Sequence, residues 1–225
     1  DGRTLCQLRW AMAITPSPYA TIEDTIRTRL NLIVDMDESK QPSISKMASG
    51  YLNALRWGDN KLREMDQNNV PSKCDDCKYK ETCHNSFGQV DGVGLFPYTE
   101  KAINLMAEKT KSINEGENFN PRTFINTVLT YVLKGHHKTL ESGTFPPINL
   151  LHKIGGVNKL SNPAEMELDE LKDKYKDRRR TLLELWDGTG ELVNFPKGLH
   201  EAFGIPYLDG ISESVSEETH VDGQD

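Results

Sequence analysis

Residues 120–132 read NPRTFINTVLTYV, a pattern typical of an amphipathic helix with a defined start. Asn120 is a good cap for the first turn, and Pro121 suits the first helical position because a donor there would have no intrahelical partner. The residues that follow place apolar side chains on one face, namely Phe124, Ile125, Val128, Leu129 and Val132. This stretch therefore predicts a helix with one buried side.

Similar patterns predict helices over much of the chain. Apolar residues recur at helical spacing in residues 19–34, where we expect them to form core, and in residues 43–65, with a break near Gly58. Thr99 predicts the start of a helix that ends near Thr110, and Asn162-Pro163 precedes a charged helix over residues 164–186. Residues 192–196 fit a short strand or an extended crossing, and residues 198–203 fit one more helical turn. The predicted fold class is mainly α, a helical bundle.

The charge of the chain is uneven along its length. Of its 225 residues, 27 are Lys or Arg and 34 are Asp or Glu, and residues 209–225 contain six acids and no Lys or Arg. This balance argues against a basic field over the whole protein, although a local basic face stays open. The acidic tail has little apolar surface and is predicted to be disordered.

The sequence lacks the common signatures of a membrane protein and of a complete active site. No apolar run approaches the roughly 20 residues that a membrane span needs, so we expect no membrane partner. The chain begins Asp1-Gly2-Arg3 without a basic and apolar leader, and we interpret it as an excerpt of a longer cytoplasmic polypeptide. It contains no Walker A pattern, no G-x-G-x-x-G helix start, no G-x-S-x-G and no H-E-x-x-H.

The most specific signal is a cluster of cysteines in a polar stretch. Cys74, Cys77 and Cys83, followed directly by His84, form a C-x2-C-x5-C-H array. Thiolates at this spacing can bind one tetrahedral metal ion, and the fourth ligand is either His84 or the distant Cys6. Because the surrounding residues carry few apolar side chains, we predict an irregular insertion that the metal orders.

Two metal centres remain open for this cluster. Zinc is favoured if His84 is a ligand, since Zn²⁺ accepts mixed sulfur and nitrogen donors. A [4Fe–4S] cluster becomes the alternative if Cys6 completes four thiolates. The C-x2-C-x-Y-x3-C spacing also resembles the cysteine triplet of nucleases that carry such a cluster, although no nuclease core of Asp and Glu-x-Lys is recognisable here.

A second weak signal lies in the charged helix near the C-terminus. Basic residues outnumber acids there, and the candidates for contact with a nucleic-acid backbone are Lys176, Arg178, Arg179 and Arg180. A solvated face with ion pairs along the helix is the default interpretation of such mixed charges.

These features divide the chain into five predicted parts. Residues 1–69 form an N-terminal helical part, residues 70–94 the metal-binding insertion and residues 95–160 a lid-like helical bundle. Residues 161–208 form a C-terminal helical part, and residues 209–225 the acidic tail.

The order of motifs resembles a known family of proteins. Residues 94–99 read GLFPYT and precede a helix with Ala102 and Leu105, and residues 120–122 read NPR at the start of the next helix. This arrangement resembles the helical lid of AAA+ and related P-loop ATPases, in which such an arginine contacts the nucleotide phosphates. The resemblance implies that role for Arg122.

Three further stretches extend the resemblance over roughly residues 51–206. They are YLNALR at residues 51–56, CHNSFG at residues 83–88 and EAFGIP at residues 201–206. With them, the chain looks like the C-terminal part of the large ATPases of bacterial anti-phage systems. The resemblance implies that the full-length protein binds ATP with Mg²⁺, and that DNA and other subunits of a multi-protein system are its partners.

Two functions follow from the sequence. In the first, the chain couples nucleotide state to DNA or partner binding, and ATP hydrolysis requires an upstream P-loop that the given residues lack. In the alternative, the chain is a non-enzymatic, metal-stabilised module that binds nucleic acid or protein.

Overall fold

The computed structural model describes residues 19–30, 43–66, 69–111, 119–154 and 159–214. The chain divides into two compact units, residues 1–41 and residues 42–225. In the described part of the first unit, helix α1 spans Asp24–Arg27 and buries no residue. Ile26, which the sequence placed in a core, is 47% exposed, so the predicted buried stripe is wrong at this position. Residues 31–34 of the predicted helix lie outside the described residues.

The second unit opens with two helices that meet at a glycine. Helix α2 spans Ile44–Trp57, and the hydroxyl of Ser43 accepts a hydrogen bond from the Lys46 amide at its start. Helix α3 spans Asp59–Glu64. Between them Gly58 has a φ of 78°, a left-handed conformation that glycine adopts without strain. The predicted break in the helix is confirmed.

The cysteine-rich segment has more regular structure than its sequence predicts. A 3₁₀ turn spans Lys73–Asp76, helix α4 spans Lys80–Phe87, and strand β1 (Gln89–Val90) pairs antiparallel with strand β2 (Val93–Gly94). The prediction of an irregular segment is therefore wrong for residues 80–94. The reason is that α4 ends in Phe87, which is 3% exposed and anchors the segment in the core.

The middle of the chain contains the predicted helix starts. Helix α5 spans Glu100–Lys111, and the Thr99 hydroxyl accepts a hydrogen bond from the Ala102 amide at 3.1 Å. Helix α6 (Pro121–Phe124) begins after Asn120, whose side chain accepts from two amides of the first turn, and it continues as a π-helical segment over Ile125–Gly135. Helices α7 (His137–Glu141) and α8 (Asn149–Ile154) follow.

The charged C-terminal helix is two helices instead of one. Helix α9 spans Asn162–Glu170, and helix α10 spans Lys176–Leu182 before a π-helical segment over Leu183–Asp187. The chain turns between them, and Lys172 has a φ of 46° there. Helix α11 spans Lys197–Phe203 and confirms the predicted helical turn.

One hydrophobic cluster joins the elements of the second unit. Its buried members run from Ala48 in α2 to Ile205 after α11. Edge-to-face aromatic contacts occupy its centre: the ring centroids of Phe87 and Phe96 are 5.0 Å apart, and those of Trp186 and Phe203 are 5.9 Å apart. The described part of the second unit is thus mainly helical around a single core, with one two-stranded hairpin.

The beginning of the acidic tail is held by Asn194. The amide of Asn194 donates to Ser212 O at 2.8 Å, and its carbonyl accepts from the Ser214 amide at 2.7 Å. Its fully buried side chain also donates to Leu208 O at 2.8 Å and to Ile211 O at 2.9 Å. The predicted disorder is therefore wrong for residues 209–214, and residues 215–225 lie outside the described part.

Candidate metal centre

Side-chain hydrogen bonds fix the backbone around Cys74. The side-chain oxygen Oδ1 of Asn53, on α2, accepts from the Lys73 amide at 2.9 Å. The Ser72 hydroxyl accepts from the Cys74 amide at 3.2 Å and donates to Gly92 O, in the hairpin turn, at 2.8 Å. The 3₁₀ turn that carries Cys74 is thereby joined both to α2 and to the hairpin.

The sulfur of Cys74 is buried and accepts two hydrogen bonds. The Gly94 amide donates to its Sγ at 3.3 Å, and the Arg56 guanidinium donates at 3.5 Å. A second nitrogen of Arg56 donates to Phe96 O at 3.2 Å, which fixes the guanidinium between the cysteine turn and the residues after the hairpin. Hydrogen bonds of this kind orient a metal-ligating atom.

Cys83 lies on α4 and is half-buried. Burial raises the pKa of its thiol, whereas a hydrogen bond from the Phe96 backbone and the charge of Arg56 act in the opposite direction. The charges of Cys74 and Cys77 also raise the pKa of Cys83. Because the net shift of this pKa is upward, a metal would have to displace a proton from the Cys83 thiol.

His84 offers a nitrogen without a partner. Its Nε2 is buried and makes no hydrogen bond within the described residues. Burial lowers the pKa of His84, and the positive charges of Lys80 and Arg56 lower it further. The imidazole is therefore neutral at physiological pH, which is the form that binds metals.

Gly94 is the point where these groups converge. A Cβ at this position would lie 3.1 Å from Cys83 Sγ, 3.0 Å from His84 Cδ2 and 3.2 Å from His84 Nε2. The Gly94 amide is also the donor to Cys74 Sγ. The hairpin can approach Cys83 and His84 this closely because position 94 has no side chain.

The donors are not assembled into a finished site. Among the described residues, no group of three or more His, Cys, Asp or Glu side chains is arranged to hold a metal ion. Cys77 is the exposed member of the cysteine trio, whereas Cys74 is buried. The alternative ligand Cys6 lies outside the described residues. Cys74, Cys83 and His84 carry donor atoms of the kind that metals bind, but in the described residues they are not arranged as a metal-binding group.

Arg122 lies where the sequence predicts, in the first turn of α6. The Asn120 side chain accepts from the Arg122 amide at 3.0 Å and from the Thr123 amide at 3.2 Å. Arg122 is exposed, and within the described part of the chain its side chain makes no hydrogen bond or ion pair. Phe124, two residues later, is fully buried, so the helix start is anchored while the guanidinium faces solvent.

The four basic candidates of the C-terminal region, Lys176, Arg178, Arg179 and Arg180, all bind groups of the protein itself. Lys176 pairs with Asp169 at 2.6 Å, and Arg180 pairs with Glu165 at 2.9 Å. Both pairs join α10 to α9, so these cations bridge two helices. The prediction that they contact nucleic acid stays untested.

Arg178 and Arg179, which lie between Lys176 and Arg180 in the sequence, bind backbone carbonyls. One terminal nitrogen of Arg178 lies within hydrogen-bonding distance of three of them, those of Gly143, Phe145 and Phe203, which share its two N–H groups. Arg179 is 1% exposed, donates to Pro206 O at 3.1 Å and pairs with Asp173 at 3.2 Å. The default interpretation of a solvated face is therefore wrong at Arg179, which has no surface to offer a partner.

Sequence reasoning missed two residues that shape the candidate centre. Arg56 is 18 positions from Cys74, and Gly94 is 20 positions from it. Neither belongs to a ligand-spacing pattern, and only the hairpin, which the sequence did not predict, brings Gly94 to the sulfurs.

Comparison with protein family models, with curated proteins and with solved structures finds no match for this chain. In the described part of the chain, every helix is too short or too polar to cross a bilayer. The resemblance to the lid of P-loop ATPases therefore remains a prediction from the sequence motifs.

Proposed function

We propose that this chain is the lid-like region of a cytoplasmic P-loop ATPase, stabilised by a structural metal ion, of the kind found in bacterial anti-phage systems. Its role is to couple nucleotide state to the binding of DNA or of a partner subunit. The observation that carries the proposal is the exposed guanidinium of Arg122 on the first turn of a helix whose other side is core.

The electrostatics of a helix start support a phosphate ligand for Arg122. A cation in the first turn is disfavoured by the helix dipole, and Asn120 already caps the amides of this turn. A phosphate bound at this end of the helix would offset that cost, and the planar fork of arginine suits its oxygens. Arginine placed on a transferring phosphoryl group stabilises the charge of the transition state.

ATP hydrolysis by the full-length polypeptide tests this role. We expect Arg122→Ala to lower kcat by about 100-fold or more, with an unchanged unfolding midpoint. Arg63→Ala is the matched control, since Arg63 is another exposed arginine, and its ion pair within the described residues is with Asp59 on its own helix. Turnover that survives Arg122→Ala removes this residue from the proposal, and a full-length sequence without G-x-x-x-x-G-K-[ST] favours the non-enzymatic module.

We propose that the structural metal is zinc, bound by Cys74, Cys77, Cys83 and His84. The unpartnered Nε2 of His84 beside Cys83 supports a mixed sulfur and nitrogen donor set. Binding would bring the exposed Cys77 to the other ligands and would join the 3₁₀ turn to α4. A [4Fe–4S] cluster with Cys6 as the fourth ligand is the alternative.

Elemental analysis of protein prepared without oxygen separates these outcomes. One zinc per chain without iron supports the mixed site, and we expect His84→Ala to weaken zinc binding while His137→Ala, an exposed histidine far along the chain, leaves it unchanged. Iron with labile sulfide supports the cluster instead. Protein that contains neither metal and gains none on addition of Zn²⁺ refutes both.

A further inference from the structure

The middle of the chain is rich in positive charge, although the protein is acidic. Residues 119–160 contain five Lys or Arg residues and a single acid, Glu141, in a chain whose net charge is −7. Such a local excess creates a positive potential where the fold leaves the cations exposed.

The fold exposes these cations around the C-terminal end of the helix that begins at Pro121. Lys134, His137 and Lys138 are all exposed and lie within five residues, and His137 Nδ1 is 2.9 Å from Lys134 O. Lys153 on α8 is exposed as well, and its Nζ lies 5.7 Å from the centroid of the Tyr131 ring. Tyr131 therefore links the lysine of α8 to the helix that carries Lys134. We call Tyr131, Lys134, His137, Lys138 and Lys153 the basic face.

The lysines of the basic face have no acidic partners. Within the described residues Lys134, Lys138 and Lys153 form no ion pair, and Glu141 forms none either. By contrast, the arginines and the lysine of α10 are all held by carboxylates or by backbone carbonyls. The lysines of the basic face can therefore bind an external anion without breaking an ion pair among the described residues.

The aromatic ring within the basic face indicates the class of partner. Tyr131 is partly exposed, and its ring packs edge to face against the ring of His136, with the two centroids 5.0 Å apart. The ring is therefore held in place beside a lysine. Cations next to a fixed aromatic ring suit a nucleic acid, in which phosphates alternate with flat bases, better than an acidic peptide.

We propose that the basic face binds the backbone of a nucleic acid, with one base stacked on Tyr131. The proposal moves the nucleic-acid surface from α10 to the region between Tyr131 and Lys153. It rests on the DNA-binding part of the proposed function, but it requires neither ATP nor a metal ion, so a failure of this surface is distinguishable from a failure of Arg122.

Binding of a fluorescent single-stranded oligonucleotide, and of the same sequence as a duplex, tests the proposal over a range of salt concentrations. We expect the triple variant K134Q/K138Q/K153Q to bind both oligonucleotides more weakly than the unaltered protein. The plot of the logarithm of the binding constant against the logarithm of the salt concentration should also become less steep, by about 2 for the single strand and about 3 for the duplex. The control changes the net charge equally by replacing three other exposed lysines, K61Q/K172Q/K174Q. We expect it to bind as the unaltered protein does.

The Tyr131→Leu variant tests the stacking step separately. We expect it to weaken single-strand binding about tenfold and to leave duplex binding nearly unchanged, because only unpaired bases offer a free face. Unfolding midpoints of all variants are measured in parallel. The proposal is overturned if the unaltered protein does not bind either oligonucleotide, if both triple variants lose affinity equally, or if polyglutamate binds the basic face as well as DNA does.

Discussion

Replacing Gly94 by alanine probes the candidate metal centre at the point where its donors converge. The added Cβ would stand 3.0–3.2 Å from three atoms of Cys83 and His84, whereas ordinary van der Waals contact begins near 3.4 Å. Two adjacent residues on α4 would each have to move by a few tenths of an ångström. Gly94 does not have a positive φ, so the backbone itself accepts alanine.

The magnitude follows from two opposing effects. Overpacking of a filled site costs about 1–3 kcal/mol, while replacing glycine by alanine gains about 0.4–1 kcal/mol through the unfolded chain. We therefore expect the free energy of unfolding to fall by about 1 kcal/mol without metal. If Cys83 and His84 bind zinc, their displacement should also weaken zinc binding by about 10- to 100-fold.

Urea unfolding followed by tryptophan fluorescence, with and without Zn²⁺, measures the first effect, and competition with a chromophoric chelator measures the second. Gly50→Ala is the matched control, because Gly50 is exposed on α2 and has no atom within 4 Å of an added Cβ. It should stabilise the protein by about 0.5–1 kcal/mol. If Gly94→Ala is as stable as Gly50→Ala and binds zinc as tightly as the unaltered protein, the close approach of the hairpin to the sulfurs is refuted.

Three other predictions concern the helical core. Arg178→Ala leaves three backbone carbonyls without their donor and should cost about 3 kcal/mol in urea unfolding, whereas loss of an exposed arginine such as Arg63 should stay within about 0.5 kcal/mol. Burial lowers the pKa of His200, so below about pH 6.5 the unfolded chain takes up a proton that the folded chain does not. Stability should therefore fall as the pH drops from 7 to 5, and a His200→Gln variant that keeps the full pH dependence contradicts this. Asn120→Ala should cost about 1 kcal/mol by removing the helix cap while Asn120→Asp should not, and equal stability of the two variants would count against the cap.

Local chemistry explains which parts of the fold the sequence predicted. Helix starts at Ser43, Thr99 and Asn120 depend on a side chain that accepts from an amide two or three residues later. Such contacts lie within one turn, so the sequence alone contains them. The breaks at glycine follow for the same reason, because they need only one residue in a left-handed conformation.

Long-range packing explains what the sequence did not predict. Phe87 turns a polar stretch into an ordered helix and hairpin because it meets Phe96 and Phe203, the second of which is far along the chain. The charged helix breaks after Glu170, and beyond the break Arg179 is buried against Asp173 and Pro206 O. The contacts of Phe87 with Phe203 and of Arg179 with Pro206 O join residues that lie far apart in the sequence.

The sequence identified the candidate ligands of a metal centre but not their surroundings, and metal binding by these residues stays a prediction. The spacing of Cys74, Cys77 and Cys83 identified a donor set, and His84 follows directly from adjacency. The donors to Cys74 come from Arg56 and Gly94, each about 20 residues away on other elements. The spacing of cysteines along the sequence identifies candidate ligands, whereas Arg56 and Gly94, which donate hydrogen bonds to Cys74, come close to it only in the fold.

The contacts of Asn194 define where the chain can be shortened. Its backbone and side chain are bonded to positions 208, 211, 212 and 214 at distances of 2.7–2.9 Å. Cleavage after Ser214 leaves every one of these bonds intact. Cleavage before Leu208 removes all of these partners and leaves the fully buried side-chain amide of Asn194 without them. The smallest fragment that keeps these contacts of the second unit therefore extends at least to Ser214, 11 residues past the end of α11 at Phe203.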